Sequence, residues 1–384
     1  MYKYPIALTQ QFRFCGNPFR VDLYQGCSFG CAYCFSQNRS NSDRVKFDIA
    51  DFSIVENYFH KAFETDGSNG DVTVELLRHR VPLHVGGMSD PFQHREFELH
   101  LTYKLIELSN KYDYPIMFSS KVAHLPDDYF EILKPDLHAF QTSLIGLDES
   151  FTKKFEFNTP SPMERVNFMK TLHEKGFWTC VRLQPLIDIE QALKVCRELD
   201  GIADFAIVEH LKVPVINQHL RKLFIDELNT GNYVTSHNMK NYELRKDLKI
   251  ENINKVKDVM KHTIVGVGDN DLHYMSQSRN CCGLDTVPSP KFQNWLKYNL
   301  TYFTTQPACD TENMDELYIP KGNISSCLNP STRLKGISDY KTYTDYYCYN
   351  HLDFMCEECP MYKKYEKTDM SNLDGKTPNR IRLW

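Results

Sequence analysis

No stretch of the chain approaches about 18 consecutive apolar residues, so nothing in it is expected to cross a bilayer as a helix. The opening residues, MYKYPIALTQQFRFCG, lack a basic segment followed by an apolar run. No secretory leader is therefore expected, and the expected location is cytoplasmic. Positive charge is not in excess: 45 basic residues face 50 acidic ones, for a net charge of −5. Attachment to bulk nucleic acid by charge alone is not expected, although a local basic groove is compatible with that balance. There is no internal repeat and no low-complexity tract. With 41% apolar and 25% charged residues, disorder, collagen and coiled coil are poor descriptions. The 384 residues suffice for one large domain and a smaller one.

Cysteine, by contrast, is plentiful, at 13 residues. In a reducing compartment, clustered cysteines point to metal or iron–sulfur ligation rather than disulfides. Apolar β-rich runs at Phe19–Leu23, Val81–Val85, Pro115–Phe118, His138–Ser143, Trp178–Leu183 and Phe205–Val208 alternate with amphipathic helical patterns. The helical patterns are Ile49–Phe63, Glu96–Lys111, Asp127–Leu133, Met163–Glu174 and Glu190–Leu199. Pro126-Asp-Asp and Ser161-Pro-Met-Glu read as helix starts, and Gly176 as a helix stop. Six such repeats predict a parallel sheet, open or curved into a partial barrel, with its site at the C-terminal ends of the strands. Residues 212–262 read as helical and locally basic, with acidic residues interleaved. The boundaries expected are a barrel over 1–225, a helical linker over 226–268 and a cysteine-rich extension over 269–384. That extension has little apolar core of its own, which suggests a metal centre to hold it.

Gly26-Cys27-Ser-Phe-Gly30-Cys31-Ala-Tyr33-Cys34 follows the first predicted strand with the spacing C-x3-C-x2-C. Three thiolates in eight residues can wrap one inorganic cluster, and the glycines let the backbone curl around it. A four-iron cube held by three ligands keeps one iron open. A closed zinc site prefers four ligands, and no nearby fourth Cys or His completes this one.

This pattern, with an aromatic residue before the third cysteine, resembles the radical S-adenosylmethionine (SAM) enzymes. The resemblance implies a partial (β/α)6 barrel, a 4Fe–4S cluster on Cys27, Cys31 and Cys34, and SAM chelated to the open iron. It implies reductive cleavage of SAM to a 5′-deoxyadenosyl radical that takes hydrogen from a substrate. Flavodoxin or ferredoxin would supply the electron. Further along, Val85-Gly86-Gly87-Met88, Ser120-Lys121, Ser143 and Phe155-Glu156-Phe-Asn158, with Arg165 beyond, resemble the spore photoproduct lyase branch over roughly residues 14–210. By that resemblance Lys121 and Ser143 approach the SAM carboxylate. Gly86, Gly87 and Met88 contact its amino group through backbone carbonyls, because Met88 stands where the family often has an acid. Glu156 either faces the adenosine or clasps Arg165. The cysteine that returns hydrogen in photoproduct lyases has no counterpart, since none occurs between Cys34 and Cys180.

A second group comprises Cys309, Cys327, Cys348, Cys356 and Cys359, with Cys281-Cys282 upstream. Two short predicted strands, Leu317–Ile319 and Asn323–Ser325, place Cys309 and Cys327 at one end of a hairpin. This resembles the SPASM or twitch extensions that carry auxiliary 4Fe–4S clusters. One auxiliary cluster on Cys309, Cys327, Cys356 and Cys359 is the expectation, with Cys348 and Cys282 in reserve. Structural zinc stays open as the alternative, because C-x2-C is also a zinc half-site and His351 is near. Cys180 and Cys196 read as buried core thiols, and His84, His210, Arg182 and Gln184 as strand residues able to face the cavity. The function expected is a radical SAM enzyme acting on a peptide or protein. Nucleotide or nucleic-acid modification, a small metabolite, and a non-catalytic metal-braced module are the alternatives.

Overall fold

The computed structural model describes residues 1–8, 17, 19–38, 47–66, 71–226, 231–236, 239–269, 272, 275–278 and 281–294. Cys309, Cys327, Cys348, Cys356 and Cys359 lie outside the described residues, and with them the expected hairpin.

The strands are β1 (Ile6–Leu8), β2 (Phe19–Val21), β3 (Tyr24–Gln25), β4 (Asp48–Ile49), β5 (Leu83–Val85), β6 (Ile116–Ser120), β7 (His138–Ser143), β8 (Thr179–Leu186), β9 (Phe205–His210), β10 (Lys212–Pro214), β11 (Tyr233–Thr235), β12 (Asn241–Leu244) and β13 (Ile264–Val267). One eight-stranded sheet runs β1-β2-β5-β6-β7-β8-β9-β13. From β2 to β13 every pairing is parallel, and β1 adds an antiparallel edge. The strands follow one another in chain order with no reversal. Right-handed crossovers then place every connecting helix on the same side, as in a barrel wall rather than a doubly wound sheet.

The two faces differ in chemistry. The outward face carries Val21, Val85, Phe118 and Phe140, packed on Val55, Phe59, Leu105 and Tyr129. Further round it carries Val181, Leu183, Val208, Val265 and Val267, packed on Val195, Ile253 and Val256. By the period-two alternation, the inner face presents Arg20, His84, Ser119, Gln141 and Arg182. Segment 281–294 closes the N-terminal end of this inner face. The Trp178 indole donates to Thr286 Oγ1 at 3.2 Å, and Ser289 donates to the Asp136 carbonyl at 2.7 Å. Lys291 pairs with Asp113 and Asp136.

All six expected strands are present, and β13 is a further parallel strand beside β9. Residues 212–262 are not helical throughout. β10, β12 and β11 form an antiparallel sheet, and the helical parts are Gln218–Arg221, running on into Lys222–Asp226, and Lys246–Val259. The expected helix Glu96–Lys111 is broken at His100, whose φ of 53° is left-handed. The break has a buried cause. The Glu96 carboxylate accepts the Thr102 and Tyr103 amides at 2.9 and 2.8 Å, capping the second helix, together with the hydroxyls of Tyr24 and Tyr129. At the Pro162–Glu174 helix, Ser161 and Glu164 make a reciprocal capping box.

Candidate active site

The cysteine loop leaves β3 at the C-terminal edge of the sheet. Gly26 and Gly30 take φ of 85° and 63°, so the chain turns sharply on both sides of Cys27. Two neighbours pin it. Gln93, fully buried, accepts the Ser28 amide at 2.9 Å and donates to the Gly26 carbonyl at 3.2 Å. From the segment after β7, the Phe155 carbonyl accepts the Ala32 amide at 2.7 Å, and Asn158 donates to the carbonyls of Phe29 and Ser28.

Cys27 and Cys31 lie in one buried, charged environment. Burial first, then the negative charge of Asp90, pushes the Cys27 thiol up to about 12, against amide hydrogen bonds from Phe29 and Asp90. Burial pushes Cys31 up to about 11. Lys121 and a hydrogen bond from Tyr33 oppose this, while Glu156 and Cys34 add to it. Such thiols stay protonated near neutrality unless a metal cation displaces the proton. The donors aimed at their sulfurs suit a bound thiolate. Among the described residues no three His, Cys, Asp or Glu side chains are drawn close enough to hold a single metal ion. A four-iron cube places each thiolate on a different iron, so it needs a wider set. The donor set of Cys27, Cys31 and Cys34 fits such a cube.

Beside the trio lies a buried charge cluster. Glu156 and Arg165 are both fully buried and pair at 2.5 Å. The second arm of Arg165 donates to the Ser143 carbonyl at 2.7 Å, which fixes the end of β7. The other Glu156 oxygen accepts the Tyr33 hydroxyl. Burial would raise the Glu156 carboxyl, but Arg165, Lys121 and Tyr33 hold it below the usual range. The Lys121 ammonium sits 5.6 Å from the Tyr33 ring centre. Burial would lower Lys121, but Cys31 once it is a thiolate, and the Glu156 and Asp90 carboxylates, leave it raised and firmly protonated.

The glycine pair is set by close approach. A Cβ on Gly86 (φ 106°) would meet the Ser119 carbonyl oxygen at 2.2 Å, and one on Gly87 would meet Arg20 Cγ at 2.9 Å. The Met88 amide is taken by Asp22 Oδ1 at 2.7 Å.

Tyr33, Lys121, Glu156 and the cysteine loop are thus brought together. Ser143 joins them through its carbonyl, while Gly86, Gly87 and Met88 form the neighbouring strand end. Three organising residues were given no role in the sequence reading, although Asp90 and Gln93 lie in the Ser89–Gln93 run beside the glycine pair. Asp22 holds Met88 and pairs with Arg20 at 2.9 Å. Asp90 accepts Ser120 Oγ and the Lys121 amide, both at 2.7 Å, and so fixes the root of Lys121. Gln93 anchors the loop. Asp22 and Asp90 do lie just past strands, which is the signal that was available. Of the further strand candidates, His84, Arg182 and Gln184 face inward. His210 points to the helix side, where its Nδ1 meets Asp269 at 2.7 Å and its Nε2 meets Asn252 at 3.3 Å. Cys180 and Cys196 are fully buried, as expected for core thiols.

No family model matches the chain, and no curated protein matches it in sequence. Similarity does appear among solved structures. A spore photoproduct lyase complexed with dinucleoside spore photoproduct is 16% identical, with a TM-score of 0.47 over 65% of this chain and 76% of its own. Streptococcus suis SuiB bound to S-adenosylmethionine is 13% identical, with a TM-score of 0.43 over 67% of this chain and 51% of its own. The radical S-adenosylmethionine methyltransferase TsrM from Kitasatospora setae is 8% identical, with a TM-score of 0.37 over 53% and 37%. Likenesses this distant carry no argument about the site, whose reading stands on its own residues.

Proposed function

We propose that the chain is a radical SAM enzyme. The observation that carries the reading is the C-x3-C-x2-C loop pinned at the C-terminal edge of a parallel sheet, with Lys121 and a buried Glu156–Arg165 pair against it. Cys27, Cys31 and Cys34 would hold a 4Fe–4S cluster. When bound together with SAM, that cluster supplies the electron that splits the sulfonium and yields a 5′-deoxyadenosyl radical.

The chain's own groups bind and orient. Lys121, kept charged by its acidic neighbours and rooted by Asp90, suits the SAM carboxylate. The Ser143 hydroxyl lies at the end of the adjacent strand, fixed through its carbonyl by Arg165. Carbonyls at Gly86, Gly87 and Met88 would accept from the SAM amino group, since the Met88 side chain has no acid to offer. Both Glu156 oxygens are engaged, by Arg165 and by Tyr33, so Glu156 is a clasp that sets Tyr33 against the loop. An external flavodoxin or ferredoxin would supply the electron. A peptide or protein substrate is the reading preferred, with one auxiliary cluster on Cys309, Cys327, Cys356 and Cys359. A nucleic-acid substrate would instead give a mobility shift with a steep salt dependence.

Anaerobic reconstitution tests the proposal. The wild type should bind about four irons at the first site and, with dithionite, release 5′-deoxyadenosine from SAM. Cys31→Ala should lose that release. Equal release from wild type and variant overturns the assignment.

A further inference from the structure

The inner face of the sheet holds a continuous polar ladder that the SAM-binding reading does not use. Ser119 Oγ donates to Gln141 Oε1 at 2.8 Å and accepts from Arg182 Nη1 at 2.6 Å. His84 Nε2 lies 2.7 Å from the same hydroxyl. Arg182 Nη1 also donates to Gln141 Oε1 at 3.0 Å, and Arg182 Nε to Gln184 Oε1 at 3.0 Å. Nη2 donates to that same oxygen, and Gln184 in turn donates to Glu209, which pairs with Lys212 at 3.0 Å. Side chains from β5, β6, β7, β8 and β9 are thus joined across the barrel wall.

Arg182 is the centre of this ladder, and its charge is not balanced. All its protein partners are neutral oxygens. Among the described residues no carboxylate lies within ion-pair distance of it, and the Glu209 charge is taken by Lys212. His84 adds no charge, because burial and then the nearby Arg182 push its imidazole down to about 3. A half-buried guanidinium without a counterion is costly unless a ligand supplies one. Three side-chain oxygens fix its plane, and donor counting leaves one Nη2 proton unused.

The position suits a substrate. By register Arg182 stands opposite Ser143, level with the proposed SAM contacts, and its guanidinium leans one rung toward the strand starts to meet Ser119 and Gln141. Gln141 also donates to the Cys282 carbonyl at 3.2 Å, so segment 281–294 backs the ladder from below. Among the described residues, approach is left to the C-terminal edge that carries the cysteine loop. The charge selects the ligand. One uncompensated cation matches a monoanion better than a phosphate dianion. We propose that Arg182, held by Ser119, Gln141 and Gln184, is an anchoring site for a carboxylate group of the substrate. This deepens the radical SAM reading, on which it rests, by naming a chemical class for what binds beside SAM.

Thermal melting of the full-length protein tests the site without recourse to cluster chemistry. Melting is compared in sodium chloride, sodium acetate and sodium phosphate at matched ionic strength. Near-saturating acetate should raise the midpoint by about 2–4 °C over chloride. Arg182→Gln should abolish that rise, and Arg182→Lys should keep only part of it. Ser119→Ala, which keeps the charge but frees the guanidinium plane, should also reduce it, so the test survives if Arg182→Gln fails to fold. No rise with acetate, a rise with phosphate alone, or a rise that persists in Arg182→Gln overturns the proposal. Loss of SAM cleavage with the acetate response intact would reject the enzymatic reading alone. The converse result would reject this site alone.

Discussion

Glu156 and Arg165 are fully buried together, and neither charge would be tolerated there alone. Glu156→Gln leaves the guanidinium without its counterion. It should cost about 3–5 kcal/mol in denaturant unfolding. The pair also sets a pH signature. The folded Glu156 carboxyl titrates below its usual range, so its stabilisation is complete above that range and is lost as pH falls through the depressed value. Asp22 has the opposite sign. Burial, only partly offset by Arg20 and backbone amides, raises it from the usual 3.8 to about 6. Its protonated form therefore favours the folded state, with a contribution present below pH 3.8 and lost as pH rises through about 6. Unfolding free energies measured at pH 4 and pH 7 should show the stability advantage of wild type over Asp22→Asn shrinking as pH rises. An advantage that grows with pH would place the Asp22 carboxylate in a better-compensated setting than burial against Arg20 provides. The Glu156–Arg165 clasp was one of two sequence readings of Glu156, but the burial that sets these shifts was not legible. Asp22, Asp90 and Glu96 received no buried role from sequence, because partners such as Met88, Lys121 and Tyr24 come from segments tens of residues away.

At the scale of elements, legibility followed burial. Parallel strands covered on the outside by helices read as apolar runs, so all six expected strands were found, and Ser161 and Gly176 marked their helix ends correctly. The three-stranded sheet β10-β12-β11 was missed because its residues are half-exposed and polar, including Lys212, Asn241 and Glu243. β13 was missed because Ile264–Val267 follows a basic stretch and is too short to stand out. The break at His100 depends on Glu96 as a tertiary cap, which no local pattern shows. Two glycines with positive φ separate local from tertiary demands. At Gly176 a Cβ meets nothing within 4 Å, so Gly176→Ala should cost only the left-handed penalty, about 1–2 kcal/mol. At Gly86 the added carbon collides with the Ser119 carbonyl, where β5 and β6 meet. Gly86→Ala must spread these strands beneath Lys121, so it should lower thermal stability well beyond Gly176→Ala and weaken SAM binding in equilibrium dialysis. Equal losses in the two variants would remove the close-approach explanation.

Across the whole molecule, the first cysteine group and the segment that leads toward the second are fastened at opposite ends of one sheet. Cys27, Cys31 and Cys34 sit at the C-terminal edge, while Ser289 and Lys291 are fastened near the strand starts through Asp136 and Asp113. From Asn294 to Cys309 there are 15 residue steps, which can span up to about 50 Å when extended. An eight-residue strand such as β8 is only about 27 Å long. The tether therefore permits the second group to reach either end of the barrel, and a centre there need not share ligands with the first. Independent sites can be loaded and emptied separately. A chain with Cys27, Cys31 and Cys34 all replaced by Ala should lose SAM cleavage yet retain about four irons after anaerobic reconstitution, with zinc absent by elemental analysis. Restoring the three and replacing Cys356 and Cys359 should reverse the outcome, leaving the first cluster and its SAM binding in place. Zinc without iron in the triple variant would make the second group a structural clamp, since a closed tetrahedral zinc braces a chain but moves no electrons. Loss of all metal from the triple variant would mean that the two groups are not independent, and that the cysteines after Asn294 complete a single centre with the loop.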